Sequence, residues 1–159
     1  MKTTIEEARE KSHENLVSNL QGLLEKNYDA EQGYKEAMVK AENGHLKEYL
    51  KVRAALRNRF ATELSDVIIN LNEKPIESGS ATGAVHRTWM NIKDAFSSDS
   101  DESILEECIR GEKASVEEYK EVLRENENHF TPEITSLITN QMLEVEKSLD
   151  TIKKLEDLM

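Results

Sequence analysis

His45–Asn72 reads HLKEYLKVRAALRNRFATELSDVIINLN, and this stretch decides the fold. Leu46, Tyr49, Leu50, Arg53, Leu56, Phe60, Glu63, Leu64, Val67 and Leu71 recur at steps of three and four. That spacing marks one stripe along an α-helix. Asn43-Gly44 stands just before it, and glycine accepts the left-handed conformation that ends helices, so the pair predicts a stop. Upstream, Leu16, Leu20, Leu23, Asn27, Glu31, Tyr34, Met38 and Ala41 form a second stripe, predicting a helix from about Ser12 to Asn43. So short a turn makes the two helices antiparallel neighbours.

Downstream, Lys74-Pro75-Ile76-Glu77-Ser78-Gly79-Ser80 reads as a loop. Ser80 can cap a shorter helix over 81–96, with Ala84, Val85, Trp89, Ile92 and Phe96 on its apolar face. Ser97-Ser98-Asp99-Ser100 breaks it, and Asp99 or Ser100 can cap a third long helix. That helix carries Ile104, Leu105, Cys108, Glu112, Val116, Tyr119, Val122 and Leu123 on to about Asn128. Thr131-Pro132-Glu133 is a helix start, a threonine cap followed by proline at the first helical position. The last stripe is Ile134, Leu137, Ile138, Gln141, Val145, Leu149, Ile152 and Leu155. The expected architecture is all-α: two helical hairpins joined by a long crossover holding a short fifth helix. Residues 12–159 read as a single domain, and the charged residues 1–11 as a flexible or frayed helical arm.

Composition supports this. In 159 residues only two prolines and six glycines interrupt a chain poor in aromatics, which favours helix over sheet. A net charge of −11 disfavours binding to nucleic acid or anionic membranes. It suits a cytoplasmic protein, or one that attracts cations. No N-terminal apolar stretch resembles a signal peptide, and no run approaches transmembrane length. The single cysteine, Cys108, excludes an internal disulfide or a thiolate metal cluster and reads as a small buried hydrophobe. No phosphate loop, nucleophile elbow, zinc spacing or calcium loop is present. His13, His45, His86 and His129 do not share a helix face.

The chemistry-bearing candidates are four glutamates on or beside the seams: Glu31, Glu63, Glu112 and Glu144. A carboxylate inside a bundle must be ligated, paired or protonated. The shift that lays Glu31 on Glu112 also lays Glu63 on Glu144, Leu64 on Val145 and Ile68 on Leu149. Di-metal helical bundles use a Glu from each of two helices and a Glu-x-x-His from each of the other two. Here the corresponding third residues are Asp66 and Lys147, and a lysine repels a cation. Measured from a turn near Gly44, Glu31 and Glu63 also lie about 9 Å apart along the axis. Two readings stay open. One is an iron or manganese site on the four glutamates. The other, which the residues favour, is internal pairing: Glu31 and Glu112 with Arg53, Arg57 or Lys113, or with the hydroxyls of Tyr34 and Tyr119, and Glu63 just off the seam.

Three stretches carry a family resemblance: Ala55-Leu56-Arg57-Asn58-Arg59-Phe60-Ala61-Thr62-Glu63-Leu64, then Gly83-Ala84-Val85-His86-Arg87-Thr88-Trp89-Met90, then Glu106-Glu107-Cys108-Ile109-Arg110-Gly111-Glu112. From about Ser12 onward the chain resembles a family of uncharacterised bacterial ferritin-like proteins, four-helix-bundle proteins with a domain of unknown function. The resemblance implies an up-down-down-up ferritin-like bundle, a bacterial cytoplasmic setting, a stress-related role without an established activity, and a small pocket beneath His86 and Trp89. Some relatives carry histidine where this chain has Leu149, a departure that weakens a metal site. Together these readings give a non-enzymatic ferritin-like bundle without a cofactor. The expected assembly is a homodimer through one helical face, and neither nucleic acid nor membrane is an expected partner. Its protein partner is not identified. The alternatives are an iron or manganese carboxylate protein with an oxidase or storage role, and a helical interaction module working through its acidic surface.

Overall fold

A computed structural model describes residues 1–79 and 100–159 of the chain. Those residues form an all-helical bundle of four long helices: α1 (Thr4–Lys40), α2 (Gly44–Asn70), α3 (Asp101–Glu125) and α4 (Pro132–Thr151), followed by a single 3-10 turn at Leu155–Leu158. The expected helix over 81–96, with His86 and Trp89, lies outside the described residues.

Caps set the ends. Thr3 and Glu6 close a capping box, so α1 begins at Thr4, well ahead of Ser12. Residues 1–11 are exposed, and helical from Thr4. Ser100 accepts from the Ser103 amide and starts α3, while Thr131 accepts from the Ile134 amide with Pro132 opening α4. The Asn43-Gly44 reading is corrected. Asn43 is the N-cap of α2, its side chain accepting from the His45 and Leu46 amides, and Gly44 is the first residue of that helix. α1 instead ends at Lys40 through an extended Ala41. A polar residue before an apolar stripe serves equally as a stop or as a start, and here the two orphan amides decide it. The helix predicted through Leu155 stops at Thr151.

α2 ends in a left-handed residue, Asn72 (φ 63°). The Asn72 amide donates to the Ile69 carbonyl and the Glu73 amide to the Ile68 carbonyl, which satisfies the last carbonyls of the helix. The chain beyond is tied to α1, because Gln21 accepts from the Ile76 amide and donates to the Lys74 carbonyl. A Cβ at Gly79 would stand 2.2 Å from Asp29 Oδ1, so any side chain there would force Asp29 to move. At the other end of the bundle the Asp101 carboxylate accepts from the Glu42 and Asn43 amides, locking the start of α3 onto the α1–α2 turn.

The core has two large apolar ends. One gathers Ala37, Ala41, Leu46, Leu50, Ile104, Leu105 and Cys108. The other gathers Leu16, Leu20, Leu64, Ile68, Val122, Ile134 and Ile138. α1 therefore runs from the second end to the first and α2 returns. α3 runs in the same direction as α2, and α4 comes back. Between the two ends every helix contributes a buried polar residue: Asn27 from α1, Arg53 and Arg57 from α2, Glu112 from α3 and Gln141 from α4. Phe60, Val116 and Val145 pack beside this layer. No helix among the described residues is long and apolar enough to cross a membrane.

Candidate functional site

Glu112 is the centre of the polar layer and is fully buried. It sits between Cys108 and Val116 on the inner face of α3, so the helix period alone drives it into the core. Arg57 Nη2 donates to its Oε1 at 2.9 Å and Arg53 Nη2 to its Oε2 at 2.8 Å. The Tyr34 hydroxyl donates to Oε1 as well.

From there a chain of hydrogen bonds crosses the bundle. Arg57 Nη1 donates to Asn27 Oδ1 at 3.0 Å. Asn27 Nδ2 donates to the Leu23 carbonyl at 2.9 Å and to Tyr119 Oη at 3.0 Å. Tyr119 donates to Gln141 Oε1 at 2.7 Å. Gln141 Nε2 reaches the Phe60 carbonyl at 3.3 Å and Glu63 Oε1 at 3.0 Å. Among the described residues the Nε atoms of Arg53 and Arg57 are buried without a hydrogen-bond partner.

Burial alone pushes the Glu112 carboxyl well above the usual carboxylate range. Two guanidinium groups on its oxygens act the other way, because opposite charge at contact favours the ionised form. Two cations on its oxygens hold Glu112 as the carboxylate, and Glu118 and Glu144 act on Arg57 and Arg53 from outside the layer. Desolvation lowers Arg57 to about 10 and lowers Arg53 in the same direction, and both remain charged at neutral pH. Burial raises the Tyr119 hydroxyl and the Cys108 thiol each to about 12. Tyr119 therefore stays a neutral donor, and Cys108 stays a protonated core group.

The four glutamates stand in four different environments. Glu112 is enclosed. Glu31 is partly buried, with the Lys35 ammonium at 2.9 Å and Asn58 Nδ2 at 3.3 Å. Glu63 is partly buried on Gln141. Glu144 is exposed and pairs with Arg59 at 2.5 Å. Among the described residues no group of three or more His, Cys, Asp or Glu side chains could hold a metal ion. The donor set does not fit an iron or manganese centre, because the innermost carboxylate has both oxygens engaged by cations. His13 meets Glu73 at 3.1 Å, far along the helix from the polar layer.

The internal pairing expected from sequence is found for Glu112 with Arg53, Arg57 and Tyr34. It differs for Glu31, which takes Lys35 and Asn58, and for Tyr119, which takes Asn27 and Gln141. The roles of Asn27 and Gln141 escape the sequence reading, although each carries a signal: an amide on an otherwise apolar stripe.

Residues 15–125 match the model of a family described as a domain of unknown function, DUF2383. The chain belongs to this DUF2383 family. No curated protein and no solved structure matches it. The DUF2383 match covers most of α1 and all of α2 and α3. It contains Asn27, Tyr34, Arg53, Arg57, Glu112 and Tyr119, and it ends before Gln141 and Glu144.

Proposed function

We infer that this DUF2383 protein is a non-enzymatic, cytoplasmic ferritin-like scaffold whose mid-bundle carboxylate serves internal pairing. One observation carries the reading: the buried Glu112 has one guanidinium on each carboxylate oxygen. A carboxylate so held is neither a free base nor an open ligand, since displacing either arginine would strand a buried charge. The course of the helices supports the finer architecture. α1 and α4 run one way, α2 and α3 the other, with α2 ending at the opposite end of the bundle from where α3 begins. That course fits an up-down-down-up arrangement, in which a long crossover joins the second and third helices.

The competing reading, an iron or manganese carboxylate protein, needs Glu31, Glu63, Glu112 and Glu144 to converge. Against it stand Arg53 and Arg57 on Glu112 and the exposed position of Glu144. Elemental analysis decides between them, using untagged protein purified without chelator from cells supplied with iron, manganese and zinc. The expected result is metal well below one atom per chain, unchanged by Glu112→Ala. Stoichiometric metal lost in that variant would sink the scaffold reading.

A further inference from the structure

α2 and α4 meet through long side chains. Tyr49 Oη and Ser148 Oγ lie 3.1 Å apart, and Arg59 pairs with Glu144 across the same seam. Between them is a shallow, open groove of about 560 Å³. Its character changes across its width. Val52, Leu56 and Ile152 supply apolar surface, and Val52 is 56% exposed. Tyr49 and Ser148 supply hydroxyls, Lys147 an ammonium, and Arg53 a guanidinium from the polar layer.

The charge balance decides what fits. In the layer behind the groove Arg53 and Arg57 share the carboxylate of Glu112, and Glu118 acts on Arg57 from outside it. Arg53 gives Nη2 to Glu112, and among the described residues its Nε is buried without a hydrogen-bond partner. Among the described residues lining the groove the carboxylate is Glu144, which pairs with Arg59 and also acts on Arg53. Lys147 adds a further cation. On a chain of net charge −11 the described lining thus holds two cations, Arg53 and Lys147, to one carboxylate, a balance that favours an anion.

We propose that the α2–α4 groove binds a small amphipathic carboxylate, its head at Arg53 and Lys147 and its hydrocarbon along Val52, Leu56 and Ile152. A Tyr49 or Ser148 hydroxyl donates the additional hydrogen bond. The site goes beyond the scaffold reading and is tested separately from it, since neither Lys147 nor Val52 touches Glu112.

The full chain is titrated with octanoate and followed by calorimetry and by NMR of the Tyr49, Val52 and Ser148 resonances. Acetate supplies the head without the tail, and octyltrimethylammonium supplies the tail with the opposite charge. Saturable octanoate binding is expected, with shifts confined to the groove. Lys147→Glu and Val52→Asp, both at exposed positions, should each weaken it roughly tenfold, the loss of one charge-assisted contact or of the apolar wall. No saturable shift, equal binding of octyltrimethylammonium or acetate, or unchanged affinity in Lys147→Glu would overturn the proposal. Groove shifts that follow protein concentration without ligand would overturn it too, and would make a second copy of the chain the occupant.

Discussion

Among the described residues, the arginine–glutamate pairings at Glu112 and at Glu144 have nearly equal contact geometry and unequal setting. Glu112 meets Arg53 and Arg57 at 2.8 and 2.9 Å with its side chain 1% exposed. Glu144 meets Arg59 at 2.5 Å with its side chain 46% exposed. Distance alone would rank the second as the stronger. Burial reverses the ranking of consequences. Around Glu112 water has been removed, so each charge depends on its partners. Around Glu144 water replaces whatever is taken away. The lesson is that a contact list does not rank ion pairs until the solvent available to each is known.

The largest expected effect tests the buried side of this comparison. Glu112→Ala removes the carboxylate that Arg53 and Arg57 share and should lower unfolding stability by about 3–5 kcal/mol, read from urea denaturation. Replacing Arg53 by Met, Arg57 by Leu and Glu112 by Leu together should recover most of that loss, because the desolvation cost of all three charges disappears. A single variant as stable as the parent would mean that water reaches the layer, and the contrast with Glu144 would collapse.

Tyr119→Phe probes the neutral part of the same network. It leaves Gln141 Oε1 without its donor and takes one acceptor from Asn27, which keeps the Leu23 carbonyl. The expected loss is about 1–3 kcal/mol, the cost of an unsatisfied buried group, measured by the same denaturation. A loss as large as that of Glu112→Ala would show that the chain of hydrogen bonds acts as one unit rather than as a charged centre with a neutral tail.

The four helices were readable from sequence because apolar period and caps agree. Ser100 and Thr131-Pro132 are found as starts, and the stripes through Leu46–Leu64 and Ile104–Tyr119 are the buried faces. Asn43-Gly44 misled because asparagine suits both a helix end and a helix start, and only the neighbouring amides settle which. The glutamates were legible as residues that needed partners. Which of them is enclosed was not, because a position on the edge of a stripe turns in or out with a small rotation of the helix. Glu63 and Glu144 are such edge positions, and Leu64 and Val145 took the inside. The pairing of Glu112 with arginines was open to inference because Arg53 falls on the α2 stripe. The Asn27–Tyr119–Gln141 relay joins three helices, a relation that no single stripe contains.

The smallest effect concerns the exposed pair. Arg59 also stands over the Phe60 ring, 5.5 Å from its centre, so Arg59→Ala loses a cation–π contact as well as the ion pair. Glu144→Ala loses the ion pair alone, and the two single variants should therefore differ. A double-mutant cycle removes the ring contribution and leaves the coupling, expected at about 0.2–1 kcal/mol. It should shrink further at ~1 M salt, where the screening length falls to about 3 Å. A coupling above about 2 kcal/mol that survives such salt would show that the short contact, rather than its exposure, governs this pair. Burial would then no longer be the variable that separates Glu144 from Glu112.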